Sequence, residues 1–355
     1  MRAAISTTVI AIACTASARA QDAPLHVPAG FRVSVFAQKL DGVRNLVIGP
    51  GNMLYAALQE GGTIVKLPDA NNDGHADSAI IMARGLRGPF GIAFRGDTMY
   101  VAEMTAVKRF DPGAAQPVTI VPRLPSGGHA TRTIVFGPDG KMYVSVGSSC
   151  NLCDEGDSMR AAVLQFNRDG SGGRVFARGL RNSVGLAFHP TTGELWATNN
   201  DRDNLGDDVP PERINIIKEG RYYGWPQCYL PGTPNPEYRS ADCSSVEAPA
   251  ITFQAHSAPL GMAFYTGTAF PRPYRGDAFV AYHGSWNRTV PTGAKVVRVH
   301  VTSGKPTAIE DFITGWQRPD GSRWGRPVGI AVASDGALLV SDDQGGKIWR
   351  VSYGR

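Results

Sequence analysis

Five short stretches of the chain carry residues suited to holding anions or moving protons, and each heads a similar apolar run. They are Arg44-Asn45, His129 with Arg132, Arg181-Asn182, His256 with Pro259, and Arg323 with Arg326; a sixth run is headed by Gly88-Pro89. The planar donor fork of arginine pairs bidentately with carboxylates, and gathered guanidinium groups repel unless an anion or acidic side chains lie among them. The set therefore predicts a polyanionic small ligand held where the runs converge. The alternative for each arginine is capping of turn carbonyls or pairing with acids such as Glu103 or Asp201. His129, in Gly127-Gly128-His129-Ala130-Thr131-Arg132, has space around an imidazole that titrates near neutrality, as a general base requires. His256 falls in the same set, whereas His26, His75, His189 and His300 lie outside it and read as structural.

Two acidic loops offer hard oxygen ligands. Asp69, Asn71, Asp73 and Asp77 alternate around Gly74 as in a calcium loop, but no terminal glutamate follows, and an Asx-rich turn explains them equally well. Asp201, Arg202 and Asp203, within 199–208, follow the fourth run, where a calcium ion would also serve a bound anion.

The elements that must position these groups are strands. A phrase of apolar alternation, Gly-containing turn and second apolar run occurs six times, with starts 44, 44, 49, 78 and 67 residues apart. One such hairpin, as in Phe136-Gly137-Pro138-Asp139-Gly140-Lys141-Met142, cannot bury both faces alone. Spacing in the 40s matches a four-stranded blade and argues against a β-sandwich or β-helix. The chain is predicted to be all-β, a six-bladed β-propeller with four-stranded antiparallel blades. Phe31 to Phe36 is expected to pair beside Ile348 to Val351 and close the ring, and the two long intervals are insertions. The 42 glycines and 25 prolines suit short strands joined by turns.

The net charge of +5 is dispersed, which does not indicate nucleic-acid binding. A short apolar run from Ala3 to Ala13 precedes Ala18-Arg19-Ala20. This predicts a signal peptide over 1–20, cleavage after Ala20, one propeller domain over 21–355, a periplasmic or secreted location and no membrane span. Cys150, Cys153, Cys228 and Cys243 then remain, an even number that favours two local disulfides. For Cys150-Asn151-Leu152-Cys153 a redox dithiol and a zinc half-site are alternatives; haem attachment would require histidine at Asp154.

From about Phe31 onward the chain resembles the pyrroloquinoline quinone (PQQ)-dependent sugar dehydrogenases of the soluble glucose and sorbosone dehydrogenase family. The resemblance rests on Gly127-Gly128-His129, Gly179-Leu180-Arg181-Asn182 and Ile214-Asn215 leading to Tyr223-Gly224-Trp225-Pro226. His256-Ser257-Ala258-Pro259-Leu260-Gly261, His283-Gly284-Ser285-Trp286-Asn287-Arg288 and Gly325-Arg326-Pro327-Val328-Gly329 are similar to the sorbosone-type branch. It implies PQQ and Ca2+ as cofactors, a sugar or keto-aldehyde substrate, and a separate electron acceptor such as a cytochrome, quinone or dye. It implies His129 as general base with Arg181 beside it. Arg181, Asn182, His256, Arg323 and Arg326 fall at cofactor contacts, with Arg132 and Arg288 as further candidates, and Asp201 and Arg202 at calcium-holding carbonyls. Gly128 departs from the acidic residue of the glucose enzymes, and the family's cofactor lysine has no match near His283 to Arg288. A calcium-dependent lactonase and a non-enzymatic binding propeller are the competing functions.

Overall fold

The computed structural model describes residues 24–354; the expected leader over 1–20 lies outside the described residues. Six four-stranded antiparallel sheets follow one another along the chain. Their innermost strands are Val43–Ile48, Gly91–Arg95, Ile134–Phe136, Leu186–Phe188, Pro259–Phe264 and Pro327–Val332, which we number blades 1 to 6. Each innermost strand contacts that of the next blade, and blade 6 contacts blade 1, so the sheets form a closed ring: the six-bladed β-propeller expected from the repeat. Among the described residues no helix is long and apolar enough to cross a membrane.

The ring closes as the terminal runs predict. Phe31–Gln38 pairs antiparallel with Lys347–Tyr353, with Phe31 opposite Tyr353 and Val35 opposite Trp349, and becomes the outer strand of blade 6. Phe31 meets the rings of Phe270, Tyr274, Phe312 and Tyr353 edge-on at 4.8 to 5.0 Å. Burying such a side chain contributes about 2–3 kcal/mol to the closure. Six separate apolar clusters fill the six spaces between neighbouring blades, because each blade presents period-two apolar residues to both sides.

Glycines on the inner strands set how closely neighbouring blades approach. A Cβ on Gly91, Gly185, Gly261 or Gly329 would come within 2.3 to 2.5 Å of the carbonyl of Arg132, Leu260, Val328 or Arg44 on the following blade. This contact also fixes the equivalence of the repeats. The residues preceding these glycines, Phe90, Val184, Leu260 and Val328, form a buried apolar plug on the axis, and Arg44 and Arg132, before Asn45 and Thr133, hold the same place in blades 1 and 3.

The insertion in blade 4, over 218–250, carries a small hairpin of Cys228–Leu230 and Thr233–Pro234 closed by the Cys228–Cys243 disulfide. Cys150 and Cys153 form the second disulfide, so the bridge holds among the alternatives for that motif.

Candidate functional site

Above the apolar plug lies a polar cavity lined by Arg44, His129, Arg181, Asn182, Asn200, His256, His283, Trp286 and Arg326, among others. The structure thus brings together eight of the predicted residues: Arg44, His129, Arg181, Asn182, Asp201, Asp203, His256 and Arg326. It does not bring the other arginines to the cavity. Arg132 is fully buried in the register of the plug residues and donates to the carbonyls of His129, Thr131 and Pro125, so it supports the loop under the base instead of facing a ligand. Arg323 donates to Gln317 Oε1 at 3.1 Å and the Thr292 carbonyl at 3.2 Å, behind Gly284. Arg288 holds Asp208 at 3.1 Å and the Asp207 carbonyl, joining two rim loops.

His129 is placed by blade 3. Its Nδ1 lies 3.0 Å from both the carbonyl and the hydroxyl of Ser148, and that hydroxyl donates to the Cys150 carbonyl at 2.6 Å. A carbonyl only accepts, so Nδ1 carries the proton and Nε2 is left with its lone pair, the state a base needs. Gly147 permits this packing: a Cβ there would stand 2.5 Å from His129 Cβ and 2.8 Å from Asn182 Oδ1. Burial, and then the charge of Arg181, lower the His129 pKa to about 4. In the folded state the imidazole therefore binds a proton less readily than in the unfolded chain. Its contribution to stability is complete above pH 6.5 and is lost as the pH falls towards 4. Denaturant unfolding at pH 7 and 4.5 should show His129→Gln losing less stability than the wild type over this interval, by about 1–3 kcal/mol. Equal losses in the two proteins would contradict this assignment.

Two charged networks flank the base. On one side Arg181 donates to the carbonyl of Asp201 at 2.6 Å and pairs with Asp203 at 2.9 Å. Asp201 pairs through its carboxylate with buried Arg213 at 2.6 Å. Its backbone N–H donates to Glu212, whose carboxyl burial pushes up to about 8, so it is neutral at pH 7. His256 donates from Nε2 to the Gly206 carbonyl at 2.8 Å, and both it (φ 63°) and Ala258 (φ 52°) sit in the left-handed region. Such backbone is costly for residues with a Cβ and clusters at functional sites.

On the other side Asp343 accepts from Arg44 and from His283 Nε2, the latter at 3.0 Å. Burial lowers the His283 pKa to about 4, so the imidazole is neutral, while its N–H and the Arg44 charge hold Asp343 ionised. Arg326 donates to the carbonyls of His283 at 2.9 Å and Gly284 at 3.2 Å. Among the described residues it forms no direct ion pair, and Asp343, already bonded to Arg44 and His283, is the nearby carboxylate that acts on its charge. Arg44 keeps a buried Nε without a partner and stacks its guanidinium over Phe90, 5.6 Å from the ring centre. His283, Asp343, Glu212 and Asn200 were not singled out from the sequence as site residues.

The cavity suits a planar polycarboxylate: the Arg326 and Arg44 guanidinium groups line one wall, and Asn182 lies on another, with the Arg181 charge behind it held by its own carbonyl and carboxylate partners. Of the groups expected to hold calcium, the carbonyl of Asp201 and the carboxylates of Asp201 and Asp203 accept from Arg181 and Arg213, while the Arg202 side chain pairs with Glu237 and Asn235. In the Asp69–Asp77 loop, Asp69 accepts the amides of Asp73 and Gly74, Asp73 that of His75, and Asp77 that of Ala70, which is the Asx-turn alternative. Among the described residues one trio of His, Cys, Asp or Glu ligand atoms lies within mutual metal reach, Cys150, Cys153 and Glu155, and its sulfurs are joined as a disulfide.

Fold and site together define a β-propeller with an axial, polar cavity lined by arginines and a neutral histidine at its wall. The chain belongs to the glucose/sorbosone dehydrogenase family, whose model matches residues 116–350. It is 30% identical to an uncharacterized protein of Borreliella burgdorferi over 98% of this chain and 96% of that one. It is 25% identical to a pyrroloquinoline quinone-dependent sugar dehydrogenase of Hypocrea jecorina, covering 89% of this chain and 84% of the relative. Its fold matches the holo PQQ domain of a Coprinopsis cinerea pyranose dehydrogenase with a TM-score of 0.81, at 24% identity, covering 93% of this chain and 97% of that domain.

Proposed function

We propose that this protein is an exported quinoprotein that oxidises an aldose or a related sugar aldehyde, with PQQ held in the axial cavity and His129 as base. The observation that carries the reading is Arg326, a partly buried guanidinium bonded to carbonyls and left without a carboxylate partner beside the base. When bound, PQQ supplies a two-electron acceptor for hydride from the substrate carbon. Arg326 and Arg44 would hold its carboxylates, and Asn182, with Arg181 behind it, would face its ring oxygens. His129 Nε2 takes the proton of the substrate hydroxyl, while Ser148 fixes the ring through Nδ1 and stabilises the imidazolium that forms. Anion binding beside Arg181 offsets part of the positive field on His129, raising its pKa from about 4 and making it a stronger base once the site is filled. Electrons then leave to a separate acceptor, and the leader over 1–20 would direct the chain to the periplasm or outside the cell.

A lactonase would need carboxylates converging freely on the axis, whereas those near this cavity are paired or neutral. The test is dye reduction by protein incubated with PQQ, with and without calcium, across aldoses, keto-aldehydes and simple alcohols. Turnover confined to sugars with a free anomeric hydroxyl or an aldehyde is expected; lactone hydrolysis without dye reduction would overturn the reading.

A further inference from the structure

The loop over 148–153 touches both wings of the site. Its first residue, Ser148, fixes His129 as described, and its hydroxyl returns to the Cys150 carbonyl. Asn151, inside the Cys150–Cys153 ring, faces the other way. Its carbonyl accepts Arg181 Nε at 3.1 Å and Trp225 Nε1 at 3.1 Å. Its Oδ1 accepts Arg181 Nη2 at 2.9 Å and the Asp203 amide at 2.8 Å, and its Nδ2 donates to the Asp203 carbonyl at 3.0 Å. Five hydrogen bonds thus converge on one side chain and its carbonyl, two of them from the guanidinium that flanks the base.

We propose that Asn151 is a positioning residue for Arg181, and that the Cys150–Cys153 ring is the brace that presents it. The claim that this serves cofactor binding rests on the function proposed above; the claim that Asn151 orients Arg181 does not. Arginine has several rotatable bonds, so holding Arg181 from two edges through a short covalent ring removes freedom that a ligand would otherwise have to freeze out. Because Ser148 and Asn151 lie three residues apart on the same loop, the ring also sets the base and the arginine relative to each other. Trp225 couples the contact to the blade 4 insertion through its bond to the Asn151 carbonyl.

The mature protein, Asn151→Ala and Cys150→Ser/Cys153→Ser are compared, with thermal melts confirming that each is folded. Two readouts are followed: PQQ affinity, and the His129 titration by NMR in ligand-free protein, where Arg181, Arg132 and Arg160 supply the charges around the ring. Loosening Arg181, which keeps its contacts to the Asp201 carbonyl and Asp203, is expected to weaken PQQ about threefold or more and to raise the His129 pKa measurably, as its largest nearby charge gains freedom. The exchange rate of the Arg181 Nε proton in the unaltered protein is the third measurement and needs no variant: slow exchange is expected. Folded variants with unchanged affinity and titration, or Arg181 exchange as fast as in exposed Arg123, would overturn the proposal. Failure of the wild type to bind PQQ would defeat the functional reading alone, since the titration and the exchange rate still decide the role of Asn151.

Discussion

Arg326→Ala is expected to weaken PQQ binding by at least about 100-fold without unfolding the protein. The side chain donates only to the carbonyls of half-buried His283 and buried Gly284, so its removal leaves no buried carboxylate unpaired and should cost about 1–3 kcal/mol of stability. The affinity loss follows from the opposite situation in the complex. A ligand carboxylate taken into the partly buried cavity opposite a missing guanidinium loses a charge-assisted, bidentate contact, and truncating one partner of such a pair costs about 2–5 kcal/mol. Arg323→Ala is the matched control: Arg323 is also a cation near the mouth, but it bonds Gln317 and the Thr292 carbonyl and does not line the cavity. Its effect on affinity should stay within about fivefold, consistent with a screened charge at a rim. Equal effects of the two substitutions, measured by titration of quinone absorbance, would show that the cavity is not the anion site.

His129→Gln is expected to lower kcat with bound quinone by about 100- to 10,000-fold, the range for losing a positioned general base, while PQQ affinity stays nearly unchanged. Glutamine fills similar space and can still bond Ser148, so the loop should hold, but its amide takes no proton at neutral pH. A drop in affinity as large as the drop in rate would instead assign His129 to binding, and a wild-type rate would leave the base elsewhere. The remaining candidates are His283, whose Nε2 proton goes to Asp343, an ion already engaged by Arg44, and His256, whose Nε2 proton goes to the Gly206 carbonyl and whose Nδ1 lies 3.4 Å from Asn287 Nδ2.

The ring itself was legible in the sequence because period-two apolar runs recur at nearly constant spacing and each needs a neighbour on both faces. Closure was legible too, since Phe31–Gln38 has no partner within the first repeat. The site was read in part, for two physical reasons. Taking the arginine or proline at each strand start as equivalent misaligned the repeats: the close backbone contacts at Gly91, Gly185, Gly261 and Gly329 place Arg132 with the plug residues, whereas Arg181 and Arg326 precede that position by three and two residues. The other reason lies in the hairpin. In an antiparallel pair the head of the first strand lies beside the tail of the second, as in Pro259 opposite Tyr282 and Pro327 opposite Asp342. The second half of the site therefore comes from residues just after the second strands, Ser148, Asn200, His283 and Asp343. Looking there in each repeat would have found them. The acidic loop over 69–77 has a composition that suits calcium and turns alike, and the backbone amides that form its Asx turns are invisible in composition.

The most direct test of the central claim is equilibrium titration of the mature protein with PQQ, in calcium and in chelator, followed by quinone absorbance. One equivalent bound tightly, displaced by other planar polycarboxylates and weakened by Arg326→Ala, is the predicted result. No saturable binding under either condition would contradict the account.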